Sequence, residues 1–186
     1  MLTQSPSQTV GPFFHDGLIL GENHLVNEQT RGERITLTGR VLDGDGQPVP
    51  DAMIEIWQAD AEGIYAHVDD PLHAQADPAF RGYGRADTVD AGRYVFETIK
   101  PGAVVRAGQP VQAPHINVHV FARGMLIHVH TRVYFADVAA NDSDAILNAV
   151  PAARRDTLLA QRTLGAATYT FDIVLQGEHE TAFFEA

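Results

Sequence analysis

The 186-residue chain carries a formal net charge of −11, which argues against nucleic acid as a partner, because phosphate binding needs a basic surface. Its 45% hydrophobic content fits one globular domain with a sizeable core, and no stretch approaches the roughly 18 apolar residues of a membrane span. The absence of cysteine and a polar start over residues 1–12, with no basic opening and no apolar run, predict a cytoplasmic protein without a signal peptide.

Residues 1–33 are rich in Pro, Gly, Asn and Gln and show no clear period. They predict an N-terminal arm that packs on a partner chain, ahead of a single domain over 34–186. From Arg34 the pattern turns to β. Ile35, Leu37, Gly39 and Val41 alternate with polar residues, and Asp43-Gly44-Asp45-Gly46 is a turn. Further strands are expected over 52–58, at 85–86, over 93–98, and over 115–121 and 126–135 as a hairpin. Two helices are expected, a short one over 143–149 and a longer one over 154–164, with Asp156 and Thr157 near its start. Residues 167–175 return to strand, with Tyr169, Phe171, Ile173 and Leu175 on one face. Short strands with turn chemistry between them predict an all-β chain, a β-sandwich with one or two short helices near the C-terminus.

The hairpin concentrates the chemistry. Alternation puts His115, Asn117, His119 and Phe121 on one face, and Ile116, Val118 and Val120 on the other. His128, His130 and Arg132 share a face of the second strand. His115, His119, His128 and His130 admit either a shared metal ion or hydrogen bonds within the sheet or an interface. Metal sites of this kind usually add a carboxylate, and none lies between Glu97 and Asp137. Tyr65, just past a strand end, is either a phenolate ligand for ferric iron or a half-buried aromatic. Arg123, at the hairpin turn, is either an anion anchor or a solvated side chain. An acidic chain handling a small anion needs such a local cation, and Lys100 is the only lysine. Thr9, Gly11 and Pro12 form either a turn of the arm or a stretch of backbone that approaches a ligand.

Several motifs together resemble one family. QTVGPF at 8–13, IWQAD at 56–60, GRYVFETIKPG at 92–102 and PHIN at 114–117 are similar to segments of the intradiol ring-cleaving dioxygenases. FARG at 121–124, IHVHTRVYF at 127–135 and QGEHETAFF at 176–184 resemble the non-catalytic chain of its two-chain members. The resemblance implies a prealbumin-like sandwich of the intradiol type and a ferric iron held by two tyrosines and two histidines. It also implies insertion of both atoms of O2 between the hydroxyl-bearing carbons of a catechol. Tyr65 and His115 match one ligand of each kind. Val104 stands at the second tyrosine position and Asn117 at the second histidine, and Gln112 replaces an active-site arginine. Val cannot ligate and a neutral Asn is a poor substitute for imidazole. The resemblance therefore implies no metal on this chain, with Tyr65, Val104, His115 and Asn117 as vestigial ligand positions. It implies Fe(3+) on a homologous catalytic β chain in an obligate hetero-oligomer. Thr9, Gly11, Pro12 and Arg123 are then expected to border the partner's pocket, with Arg123 facing the carboxylate of a small aromatic acid. Two other readings are a self-sufficient His-ligated metalloenzyme and a prealbumin-like binding module; the latter leaves the hairpin and the C-terminal motif unexplained.

Overall fold

Alternating burial along the strands accounts for the architecture. In the computed structural model, residues 17–185 are described, and nine strands dominate them. They are β1 (Arg34–Leu42), β2 (Met53–Gln58), β3 (Tyr83–Asp87), β4 (Arg93–Ile99), β5 (His115–Phe121), β6 (Val129–Phe135), β7 (Leu159–Arg162), β8 (Thr168–Thr170) and β9 (Ile173–Val174). Pairing runs in one path, β3-β2-β5-β6-β7-β8-β1-β4, with β9 added beside β1. The two ends of the path, β3 and β4, follow each other in sequence, so the sheet is nearly closed and barrel-like. Strand β7 joins its halves, parallel to β6 on one side and antiparallel to β8 on the other.

The core lies inside this sheet. Leu37, Ile54, Ile56, Phe96, Ile116, Val118, Val120, Val133, Phe135 and Tyr169 are buried there. The inward positions of β5 are thus the expected Ile116, Val118 and Val120, and its histidines lie outside the core. Gly39 is where β1 admits the chain after β8: a Cβ there would lie 1.8 Å from the Phe171 carbonyl oxygen. That carbonyl also accepts a 2.5 Å hydrogen bond from the Tyr94 hydroxyl. The crossing explains why the single strand expected over 167–175 is split into β8 and β9.

The short helix is present as α1 (Ala145–Ala149), capped by Asp144, whose carboxylate accepts from the amides of Ile146 and Leu147. The helix expected over 154–164 is not. A 3-10 segment, Ala152–Leu158, leads straight into β7. Leu158 and Ala160 are buried on alternate positions, and the sheet needs this strand to bridge β6 and β8; tertiary pairing overrides local helix propensity. The described part of the arm packs on its own chain: the Leu25 amide donates to Glu97 O and the Glu97 amide to Asn23 O. The lone lysine is structural. Lys100 Nζ bonds Asp137 at 3.0 Å and the Tyr169 hydroxyl at 3.0 Å, which leaves anion recognition to arginines.

Candidate functional site

Tyr65, Val104, His115 and Asn117, the positions expected to be vestigial, come together at the start of β5. Asp60, buried just past β2, organises the first of them. Its carboxylate accepts from the amides of Glu62, Ile64 and Asp77. Gly63 closes the turn with φ 78, where a Cβ would lie 1.9 Å from Ala103 O. Tyr65 follows, its amide held by Asp70 Oδ2 at 2.9 Å. Asp70 in turn pairs with Arg106. Burial alone pushes the Asp70 carboxyl up. The amides of Leu72 and Tyr65 together with Arg106 outweigh burial and hold it below the usual range.

His115 is positioned through Asp144. That carboxylate accepts from the Ala113 amide at 2.7 Å and from the Tyr134 hydroxyl at 3.1 Å. The Ala113 carbonyl lies 2.7 Å from His115 Nδ1, which assigns the proton to Nδ1 and leaves Nε2 an acceptor. The Tyr65 hydroxyl, 3.3 Å from Nε2, donates to it. Asn117 Nδ2 donates to the same hydroxyl oxygen at 3.1 Å and to Trp57 O at 3.2 Å. Val104 is buried and pairs its backbone with Gln112 in both directions at 3.0 Å. Burial, then the charge of Arg132, lowers the pKa of His115 to about 4. Burial raises that of Tyr65, despite the opposing effects of Asn117, Arg132 and Arg106. The result is a neutral phenol, a neutral imidazole, an amide and an aliphatic side chain.

This set does not fit ferric iron. A hard cation wants anionic oxygen donors, yet the phenol stays protonated and already serves His115 and Asn117. Val104 supplies no donor. The histidines farther along the hairpin do not rescue a metal site. His119 lies 5.0 Å, centroid to centroid, from both His128 and His130, while His115 turns toward Tyr65. Among the described residues no group of three or more metal-ligating side chains is placed to hold an ion. Burial lowers the pKa of both His119 and His130, the latter to about 4, with neighbouring histidines adding to the effect.

Beside the quartet lies a cleft of about 470 Å3, lined by Trp57, Tyr65, His67, Arg106 and Gln112 among others. Gln112 occupies the expected arginine position, but the structure brings another guanidinium there: Arg132 donates to Gln112 Oε1 at 2.8 Å from β6. Sequence reading placed Arg132 on the histidine face without assigning it a role, and missed Asp60 and Asp144. Asp144 carried a signal, as a helix N-cap residue. Arg123 sits past the far end of β5, its side chain 79% exposed and its Nε 2.7 Å from Asp51. The quartet and Arg123 are therefore two separate places, one at each end of β5. Thr9, Gly11 and Pro12 lie outside the described residues.

The sequence model of the dioxygenase family, described as "Dioxygenase", matches residues 10–177. The chain belongs to the intradiol dioxygenase family. It is 43% identical, over 100% of its length and 98% of the relative's, to a protein named protocatechuate 3,4-dioxygenase alpha chain in Pseudomonas putida. It is also 39% identical to a protocatechuate 3,4-dioxygenase beta chain in Burkholderia cepacia, over 94% of this chain and 77% of that one. A solved structure similar in shape is the dioxygenase domain of a dioxygenase carbohydrate-binding protein fusion from Streptomyces sp. SirexAA-E. It has a TM-score of 0.63 and 27% identity, over 95% of this chain and 98% of that one. This family membership excludes a stand-alone prealbumin-like module as the account of the chain. No helix among the described residues is long and apolar enough to cross a membrane.

Proposed function

We propose that this chain is the non-catalytic α subunit of a protocatechuate 3,4-dioxygenase, acting in aromatic catabolism through the β-ketoadipate pathway. The assembled enzyme would insert both atoms of O2 between the hydroxyl-bearing carbons of 3,4-dihydroxybenzoate and release 3-carboxy-cis,cis-muconate. The observation that carries the reading is the closed quartet: Tyr65, His115 and Asn117 satisfy one another, and Val104 fills the fourth position. A chain of this family with no competent iron site needs a partner that has one. The partner is a homologous β chain, which holds the Fe(3+). Such permanent complexes bury above roughly 2,000 Å2.

In this reading, the end of the hairpin and the arm complete the partner's pocket. Arg123 meets the substrate carboxylate, and the backbone at Thr9, Gly11 and Pro12 lines the pocket. A charge-assisted contact of this kind contributes roughly 1.5–3 kcal/mol when partly desolvated. We also read the halves β3-β2-β5-β6 and β8-β1-β4 as the faces of a prealbumin-like sandwich, and the protein as cytoplasmic.

The test is iron analysis with visible spectroscopy, on this chain alone and on the chain co-purified with a homologous catalytic chain. The expected result is no stoichiometric iron and no tyrosinate-to-iron band in the chain alone, and one iron per α–β pair in the complex. One iron per chain with that band in the isolated protein would overturn the reading.

A further inference from the structure

The path of strands ends at β3 and β4, and residues 22–25 of the arm are bonded to both. The Glu97 amide of β4 donates to Asn23 O at 2.9 Å, and the Leu25 amide donates to Glu97 O at 2.8 Å. On the other side, the Arg85 amide of β3 donates to Glu22 O at 3.3 Å. The Asn23 side chain adds a bond from Nδ2 to Val95 O at 3.1 Å. Gly84 makes the room: a Cβ there would lie 2.4 Å from Glu22 O and 2.7 Å from the Leu25 side chain. Leu25 and Val26 then pack on the core. The segment thus serves as a short strand in the seam and pairs edge groups that β3 and β4 would otherwise leave open.

Its direction bears on function. His24 bridges Glu97 in the parallel sense, so the arm runs alongside β4 with its earlier residues toward Arg93. At that end of the seam Ile19, Gly21 and Asn23 line a cleft of about 360 Å3 together with Asp87, Asp90 and Arg93. In register, Asp87 pairs with Met53 and Met53 with Phe121. Asp51 and Arg123, each two residues beyond that row and paired with each other, lie at the same end of the sheet. The seam therefore carries the arm to the end where Arg123 stands. Gly21 is nine residues past Pro12, a reach of at most roughly 30 Å.

We propose that residues 22–25 are a positioning strand, with Asn23 a positioning residue, which aims the arm at the Arg123 end of the sheet and so at the partner's substrate. The inference rests on the reading that Thr9, Gly11 and Pro12 line the partner's pocket. Asn23 touches neither substrate nor iron and acts through the arm. An arm anchored at the seam loses less freedom when it meets the pocket than one that leaves the chain freely, so its contacts hold substrate more tightly.

Steady-state kinetics on the assembled complex test this with Asn23→Ala, with a chain lacking residues 1–12, and with both changes together. Loss of the Asn23 side-chain bond is expected to raise KM for protocatechuate about three-fold, with kcat and iron content unchanged. The truncation is expected to raise KM at least as far, and Asn23→Ala is expected to add nothing to it. A merely structural Asn23 would lower the urea midpoint and leave KM alone. The inference is overturned if truncation raises KM while Asn23→Ala does not, or if the two effects add in full. A truncation that leaves KM unchanged sinks the reading that the arm lines the pocket, and the inference with it. Hydrogen exchange on the untruncated complex is a second check, because the Glu97 amide bonds the arm directly. The Leu25 and Glu97 amides are expected to be protected in the wild type and to exchange about three-fold faster in Asn23→Ala. Exchange at the rate of an unstructured peptide in the wild type would also overturn the inference.

Discussion

At its first residue β5 carries a histidine that is 2% exposed, with both ring nitrogens engaged within this chain. Two residues past its last, the chain carries an arginine that is 79% exposed and held by one carboxylate. The first region has satisfied itself. The Tyr65 hydroxyl and both His115 ring nitrogens now serve neighbours, and burial keeps the phenol and the imidazole neutral. The second region is unfinished by the same standard, because a guanidinium has five donors and Asp51 occupies one edge of it. The contrast locates function by where hydrogen-bonding capacity remains. Residues that match family ligands contribute to folding, and a turn residue with spare capacity is the better candidate for substrate contact.

The comparison breaks first, and most strongly, on pH. His115 has a folded pKa of about 4 against an ordinary 6.5. Between those values the unfolded chain binds a proton that the folded one does not. The contribution is complete above about pH 6.5 and is lost as pH falls toward 4. The shift corresponds to about 3 kcal/mol for this group. His119 and His130 are shifted in the same direction and act with it. Urea unfolding of the assembled protein at pH 7 and pH 4.5 is expected to show this loss, with a shallower slope in His115→Gln. A flat profile between those values would show that the quartet is not held neutral by burial.

A smaller effect is expected from removing the ring itself. His115→Leu leaves the Ala113 carbonyl without its donor and the Tyr65 hydroxyl without its acceptor. Unsatisfied buried groups cost about 1–3 kcal/mol, so about 2 kcal/mol of unfolding free energy is expected to go, read as a lower urea midpoint at unchanged slope. If the imidazole were instead a remnant metal ligand, the same variant would strip iron from the isolated chain.

Much of this was legible in the sequence, and the reasons differ by residue. Strand β5 was readable to its ends because Ile116, Val118 and Val120 alternate with polar residues and all three are buried. The expectation that this chain lacks an iron site rests on Val104 and Asn117, whose side-chain chemistry the sequence alone supplies. The stretch 154–164 misled because its composition favours helix, while the need to bridge β6 and β8 lies in partners far away in sequence. The Tyr65–His115 contact spans 50 residues and Arg132–Gln112 spans 20. Neither follows from any local pattern. Arg132 was visible only as a member of a face, and its bond to Gln112 came from the pairing of β5 with β6.

The exposed end of β5 is expected to respond in catalysis and not in stability. Arg123→Ala removes one side of a surface ion pair, worth about 0–1 kcal/mol to folding. In the complex it should raise KM for protocatechuate roughly ten-fold, about 1.4 kcal/mol, with kcat and iron colour unchanged. The carboxylate is remote from the carbons that open, so it is bound alike in the ground and transition states. An unchanged KM would return Arg123 to the status of a solvated turn residue.

The smallest and most discriminating change is Arg123→Lys. It keeps the positive charge against a chain of net charge −11, so the long-range part of carboxylate attraction survives. It loses the planar fork. Arg123 uses Nε for Asp51 at 2.7 Å, and a guanidinium carries further donors on its Nη atoms that can meet a second carboxylate. A lysine has one nitrogen at the end of its chain, and Asp51 competes for it directly with the substrate. Recovery should therefore be partial, with KM between the wild type and Arg123→Ala, roughly three-fold above wild type. Adding Asp51→Asn to Arg123→Lys removes the competitor and should bring KM back toward wild type. Steady-state kinetics on the assembled complex decide it. Full recovery by lysine alone would mean that charge, and not the fork held by Asp51, is what this end of β5 supplies.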